Sequence, residues 1–128
     1  MNSKSTKGID IHTETFFQPE FSNVETDEFL FSYRITISNH NDFPVKLIRR
    51  HWFIYESNGS LKEVEGEGVV GVQPLINPGE SYQYISACKL NSEIGKMEGS
   101  YLMKNINIDK TFSVMIPEML LQVPFKLN

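Results

Sequence analysis

Apolar and polar residues alternate along most of this chain with a period of two. The clearest run is Phe29-Leu30-Phe31-Ser32-Tyr33-Arg34-Ile35-Thr36-Ile37, apolar at every odd position and mostly polar between. Successive side chains of a strand point to opposite faces, so this pattern predicts a half-buried β-strand. Comparable runs at Ile9 to Phe17, Val45 to Glu56, Ser81 to Cys88, Ser100 to Ile108 and Thr111 to Ile116 predict further strands. Turn-forming clusters separate them: Asn39-His40-Asn41-Asp42, Ser57-Asn58-Gly59-Ser60 and Asn77-Pro78-Gly79-Glu80. Asn58-Gly59 reads as a two-residue hairpin loop, since both residues tolerate positive φ. Pro78-Gly79 fits the centre of a type II turn. The one helix candidate is a turn or two near Ser92 to Met97, and residues 1–7, polar in composition, read as loose chain. About seven short strands with this punctuation describe a single all-β domain over residues 1–128, a sandwich or a barrel.

One predicted strand changes phase. Val45 and Leu47 are apolar in one register, Ile48, Trp52 and Ile54 in the other. A bulge near Arg49-Arg50 would reconcile the two by inserting one residue; a central strand covered on both faces would do so too. Either way Trp52 belongs to the core.

Composition supports a folded domain that needs no staples. The chain has 128 residues, 40% of them hydrophobic, with nine Phe. A domain of this size buries about two-thirds of the surface its unfolded chain exposes. Cys88 is the sole cysteine, so no internal disulfide forms, which suits a reducing compartment. It lies in phase with Tyr82, Tyr84 and Ser86 and reads as a buried structural thiol. A net charge of −4 without a basic arm argues against nucleic acid or an anionic membrane as the main partner. No apolar run approaches the roughly 20 residues that span a bilayer. The N-terminal MNSKSTKGIDIHTE lacks the apolar centre of a signal peptide, so the chain reads as cytoplasmic.

Four groups of residues carry candidate chemistry. Gly66, Gly68 and Gly71 satisfy G-x-G-x-x-G, the spacing by which backbone amides approach a pyrophosphate at a helix start. Here Pro74 and Pro78 follow instead of a crossover helix, and no βαβ unit is predicted, which argues against a dinucleotide site. The loop could still offer amides to an anion. The favoured reading is a tight crossing between strands that needs unusual φ. Arg49, Arg50 and His51 could grip a phosphate or carboxylate, or form a polar strand face with their aliphatic stems packed down. Glu63, Glu65 and Glu67 share one face of an extended segment, able to hold a hard cation but favoured as a solvated edge that resists aggregation. His12 and Glu14 also share a face, but two ligands are not a metal site. The three histidines lie on separate segments, no G-x-S-x-G elbow occurs, and no nucleophile–base–acid set stands out. The expectation is therefore no enzyme, no cofactor and no metal site.

Longer motifs are more specific. Arg50-His51-Trp52, then Gly66-Glu67-Gly68-Val69-Val70-Gly71-Val72-Gln73-Pro74, then Asn77-Pro78-Gly79-Glu80 with Tyr84 after it, resemble the ApaG family. The likeness continues through Met97-Glu98-Gly99-Ser100-Tyr101-Leu102-Met103 and Phe112-Ser113-Val114-Met115-Ile116-Pro117, covering roughly residues 9–124. Ser86-Ala87-Cys88 departs from the family, which more often has Thr or Ser followed by Gly. The resemblance implies an immunoglobulin- or fibronectin type III-like β-sandwich of about seven antiparallel strands. The bacterial members are named for a gene neighbourhood shared with a diadenosine-tetraphosphate hydrolase, and some carry a cobalt and magnesium efflux label. Related domains in F-box and polymerase-interacting proteins look like protein-recognition modules. With no segment to span a membrane, an efflux role would be indirect.

Two functions follow as expectations, with an unrecognised enzyme as a third reading weakened by the absent nucleophile–base pair. The first is a non-enzymatic module that binds another protein through its sheet edges or the Gly66 to Pro78 loop, with self-association left open. The alternative is a sensor that binds a phosphorylated nucleotide, pyrophosphate or a divalent cation at the glycine loop with Arg50 and His51.

Overall fold

In the computed structural model, which describes residues 2–124, nine strands run in chain order. They are β1 Asn2–Thr6, β2 Ile9–Phe17, β3 Phe29–Asn39, β4 Val45–Glu56, β5 Leu61–Glu67, β6 Leu75–Ile76, β7 Ser81–Leu90, β8 Ile94–Asn105 and β9 Lys110–Gln122. All pair antiparallel, in two sheets. The first has the order β1-β2-β3-β7; the second has β5-β4-β8-β9, with β6 joined to Val45 and Lys46 at the start of β4. The molecule is thus a β-sandwich, as the alternation and the resemblance implied.

The core lies between the sheets and is built by the predicted period. In β3 every odd residue from Phe29 to Asn39 is buried and every even one half-exposed. Trp52 is 2% exposed and meets Tyr33 of the other sheet edge-on, with ring centroids 5.8 Å apart. The hydroxyls of Tyr84 and Tyr101 hydrogen-bond to each other across the same layer. Burial raises both phenols above their ordinary pKa, so they stay neutral and the bond is between uncharged groups.

The phase change in β4 is a bulge. Leu47 stands opposite Met103 and Arg49 opposite Leu102, so Ile48 is the extra residue. Its backbone C=O, released from the ladder, accepts from Gly68 N–H at 2.8 Å and from Gln73 Nε2 at 3.0 Å. The loop after β5 is therefore anchored on the bulge.

Several local expectations change. Residues 2–6, read as loose, form β1: Asn2 pairs with Thr13 and Thr6 with Ile9, while Asn2 Nδ2 donates to Glu118 O. Polar side chains do not prevent an edge strand, because the pairing is made by the backbone; Met1 lies outside the described residues. The helix expected near Ser92 to Met97 is instead a turn followed by the start of β8. The buried Glu56 carboxylate organises it, accepting from Asn91 N–H at 2.6 Å and Ser92 Oγ at 3.2 Å. The strand expected to reach Ile108 stops at Asn105. Asn58-Gly59 is not a two-residue loop. Glu56 N–H donates to Ser60 O, leaving three residues in the loop, and only Gly59 has positive φ. Pro78-Gly79 does sit at the centre of a turn closed by Glu80 N–H to Asn77 O.

Asn39 is also more than a turn residue. It is fully buried; its Nδ2 donates to Phe43 O and Ile76 O, and its Oδ1 accepts from Asn41 N–H. Replacing it with Leu keeps much of the volume but orphans three backbone groups, which should cost on the order of 3 kcal/mol in urea unfolding. A loss below about 1 kcal/mol would mean that those groups find other partners.

Candidate functional site

The bulge decides where the basic cluster points. After it, Arg50, Trp52 and Ile54 share the inner phase of β4, while Arg49, His51 and Phe53 face out. The cluster is thereby split between two faces. Arg50 turns to the glycine loop: its Nη1 donates to Glu67 O and Gly68 O, both at 3.0 Å. Its guanidinium lies flat against Gly66, where a Cβ would come within 2.7 Å of Nη2. Gly66 makes room for an arginine.

The loop itself is a second, very short hairpin. Val69 and Val72 exchange N–H···O bonds of 2.8 and 3.0 Å, and the two residues between them both have positive φ, Val70 at 47° and Gly71 at 79°. That is a type I′ turn. Gly68, at φ 60°, lies so close to the Val72 carbonyl that a side chain there would collide. The amides of Gly68, Val69 and Val72 are all taken by carbonyls, and the carbonyls of Glu67 and Gly68 face Arg50.

The outer face of β4 and β5 brings other residues together. His51 lies between two carboxylates, Nε2 at 2.6 Å from Glu63 and Nδ1 at 3.4 Å from Glu65. Its ring stacks on Phe53 with centroids 4.6 Å apart. These three side chains could offer one imidazole nitrogen and two carboxylates to a divalent ion. A single ion can take only one nitrogen of the ring, so one carboxylate would have to swing across. Among the described residues Glu67 is not part of this group, and His12 and Glu14 do not form another. His12 Nδ1 meets Ser3 Oγ at 2.8 Å, whereas Glu14 makes a two-point pair with Arg34, at 2.9 and 2.7 Å. That guanidinium holds the Glu14 carboxyl below its ordinary pKa.

Sheet edges were expected as contact surfaces, but the sequence did not show which side of the sandwich is open. On one side of the sandwich β1 and β2 pack over β9. On the other, β7 is the edge of its sheet, and no strand among the described residues covers β5 in the same way. Both faces of β5 are consequently exposed: Glu63, Glu65 and Glu67 outward, and Lys62 and Val64 on the inner phase. Val64 is 38% exposed although it stands opposite the buried Trp52. Between β5 and β7 a cleft of about 300 Å³ opens onto Tyr33, Trp52, Cys88 and Met97, with Arg50 and Lys62 along β4 and β5. The outer edge of β7 is also unpaired among the described residues. Asn39 N–H donates to Glu80 O, so the bonded pairs fall on the even residues of β7. The backbone groups of Gln83, Ile85, Ala87 and Lys89 therefore point to open solvent. A signal was present in Lys62-Glu63-Val64-Glu65-Gly66-Glu67, whose acidic residues all fall on one face; what it lacked was any sign that the other face goes uncovered.

No helix among the described residues is long and apolar enough to cross a membrane. The family model for the ApaG domain matches residues 19–105. Protein ApaG of Dechloromonas aromatica is 42% identical over 129 aligned residues, covering 100% of both chains. Protein ApaG of Sinorhizobium fredii is 40% identical, covering 93% of this chain and 91% of its own. Among solved structures, a protein described as ApaA from Bordetella pertussis superposes with a TM-score of 0.87 at 36% identity, covering 92% of this chain and 95% of that one. A protein from Archaeoglobus fulgidus shares the fold alone, at a TM-score of 0.54 and 6% identity, covering 98% of this chain and 100% of that one.

Two outcomes follow from this geometry. A β-branched residue at positive φ is strained, and Asn is the favoured first residue of a type I′ turn. Val70→Asn should therefore stabilise the fold by about 1 kcal/mol in chemical denaturation, and a loss of stability would show that the Val70 side chain has a packing role. Cys88 is 8% exposed, and burial pushes its thiol up to about 11. At pH 8 iodoacetamide should label it at least about tenfold more slowly than the same thiol in the urea-unfolded chain. Equal rates would mean that the thiol at the floor of the cleft reacts as freely as in the unfolded chain.

Proposed function

The chain belongs to the ApaG domain family, and from that premise we propose that it is a protein-recognition module whose contact surface is the open side between β5 and β7. The observation that carries this reading is the uncovered inner face of β5 beside the free edge of β7. Sandwich proteins commonly protect such edges, because unpaired backbone groups and half-covered apolar residues recruit other chains. Here the acidic outer face of β5 guards one surface, and the inner one is left open. Ig-like or fibronectin type III-like topology is supported by the strand order, with β2, β3 and β7 in one sheet facing β5, β4, β8 and β9 in the other.

The catalytic alternative has less support. Ser3 and His12 are in contact, but they lie exposed on a sheet face, and no carboxylate bonds the second nitrogen of His12 among the described residues. The small-ligand alternative at the glycine loop is weakened because the amides of Gly68, Val69 and Val72 already bond to carbonyls. A link to cobalt or magnesium levels, implied by resemblance alone, would run through the partner. The absence of disulfides suits a cytoplasmic setting.

A photo-crosslinking amino acid at position 64 tests the reading. In cells it should trap a stoichiometric partner, while the same group at position 63, on the outer face, should not. Equal capture at both positions, or none at 64, would end the proposal.

A further inference from the structure

Resting on that reading of the open side, we infer that its occupant is an extended segment of a partner protein, added as a strand along β7 and carrying the pattern acidic-x-apolar-x-acidic. Three observations lead there. The first is the free row of backbone groups at Gln83, Ile85, Ala87 and Lys89, which only another extended backbone pairs with along its length. The second is position. On the far side of the sandwich β1 and β2 cover β9, and a strand placed beside β7 would cover β5 in the equivalent way.

The third is the chemistry beneath such a strand. Its inward side chains would recur every second residue, about 6.6 Å apart. Below them lie three levels in register: Gly66 opposite Arg50, Val64 opposite Trp52, and Lys62 opposite Ile54. The outer two levels each carry a cation, separated by about 13 Å of strand, and the middle one is apolar. Neither cation has a carboxylate in close contact, although Arg50 Nη1 already donates to the carbonyls of Glu67 and Gly68. Arg50 has no carboxylate within ion-pair distance among the described residues, and Lys62 reaches Glu56 only at 4.0 Å. A compact phosphate could not bridge two cations that far apart, whereas carboxylates at positions i and i+4 of an extended peptide meet both, and the residue at i+2 falls on Val64 and Trp52. The chain contains no acidic-x-apolar-x-acidic run of its own, so a second copy does not supply this pattern.

Fluorescence anisotropy with labelled synthetic peptides tests it on the intact protein. Thr-Asp-Thr-Val-Thr-Asp-Thr should bind about tenfold or more tightly than the same peptide with Lys for Asp. Lys62→Glu should narrow or invert that preference, and Lys62→Gln should weaken it if the charge reversal impairs folding. Methylating alternate backbone nitrogens of the peptide, which leaves the protein untouched, should abolish binding. Equal affinity for the two peptides, binding that survives N-methylation, or displacement by pyrophosphate but not by unlabelled peptide would each overturn the inference. So would a concentration-dependent dimer of the free protein that Val64→Asp dissolves, since a second copy would then be the occupant. If position 64 crosslinks a partner in cells and the acidic peptide fails, the strand pattern falls and the recognition reading stands; if position 64 traps nothing, that reading falls first.

Discussion

One inserted residue, Ile48, sets the arrangement of everything near the open side. A strand that alternates strictly from Val45 would carry Arg49, His51 and Phe53 into the core and Trp52 out of it. Inserting Ile48 reverses the phase, so Trp52 reaches the layer between the sheets and Arg50 follows it onto the inner face. The same insertion frees the Ile48 carbonyl, and that carbonyl holds Gly68 and Gln73. The loop held there supplies the carbonyls of Glu67 and Gly68 that bind Arg50. Bulge, arginine and glycine loop thus form one assembly, in which the glycines serve close approach and turn geometry.

The open side follows from unequal sheets. Three strands, β4, β8 and β9, find cover from the opposing sheet, and β5 extends past it. An uncovered strand invites aggregation, and its sequence answers on one face only, through Glu63, Glu65 and Glu67. On the other face Lys62 and Gly66 flank Val64. The hydroxyls of Tyr84 and Tyr101 bond to each other and burial keeps the Cys88 thiol protonated, so the cleft, lined also by Arg50, Lys62 and Lys89, offers apolar surface and cations without an activated thiol.

Much of the fold was legible in the chain itself. A period of two is a property of each strand alone, so β2, β3, β4 and β7 could be placed from their own residues, and even the bulge announced itself as a change of phase. Local reading failed where the deciding partner is distant. Residues 2–6 become a strand because β2 and β9 receive them. Ser92 and its neighbours form a turn because Glu56, far away in sequence, accepts their bonds. Asn39 looked like a turn residue because the carbonyl of Ile76 that buries it lies on another strand.

The candidate site divides the same way. Sequence by itself determined the residue types and their spacing: a glycine loop without a helix to follow it, an arginine pair beside Trp52, and acidic residues at every second position from Glu63. Only the tertiary structure decided that Arg50 leaves Arg49 and His51 to join the loop, that His51 instead meets Glu63 and Glu65, and that no strand among the described residues lies above the inner face of β5. The physical reason is that alternation states which residues share a face, while cover depends on how many strands the opposite sheet contributes at that point. That number is a property of the assembled sandwich, and no single segment carries it.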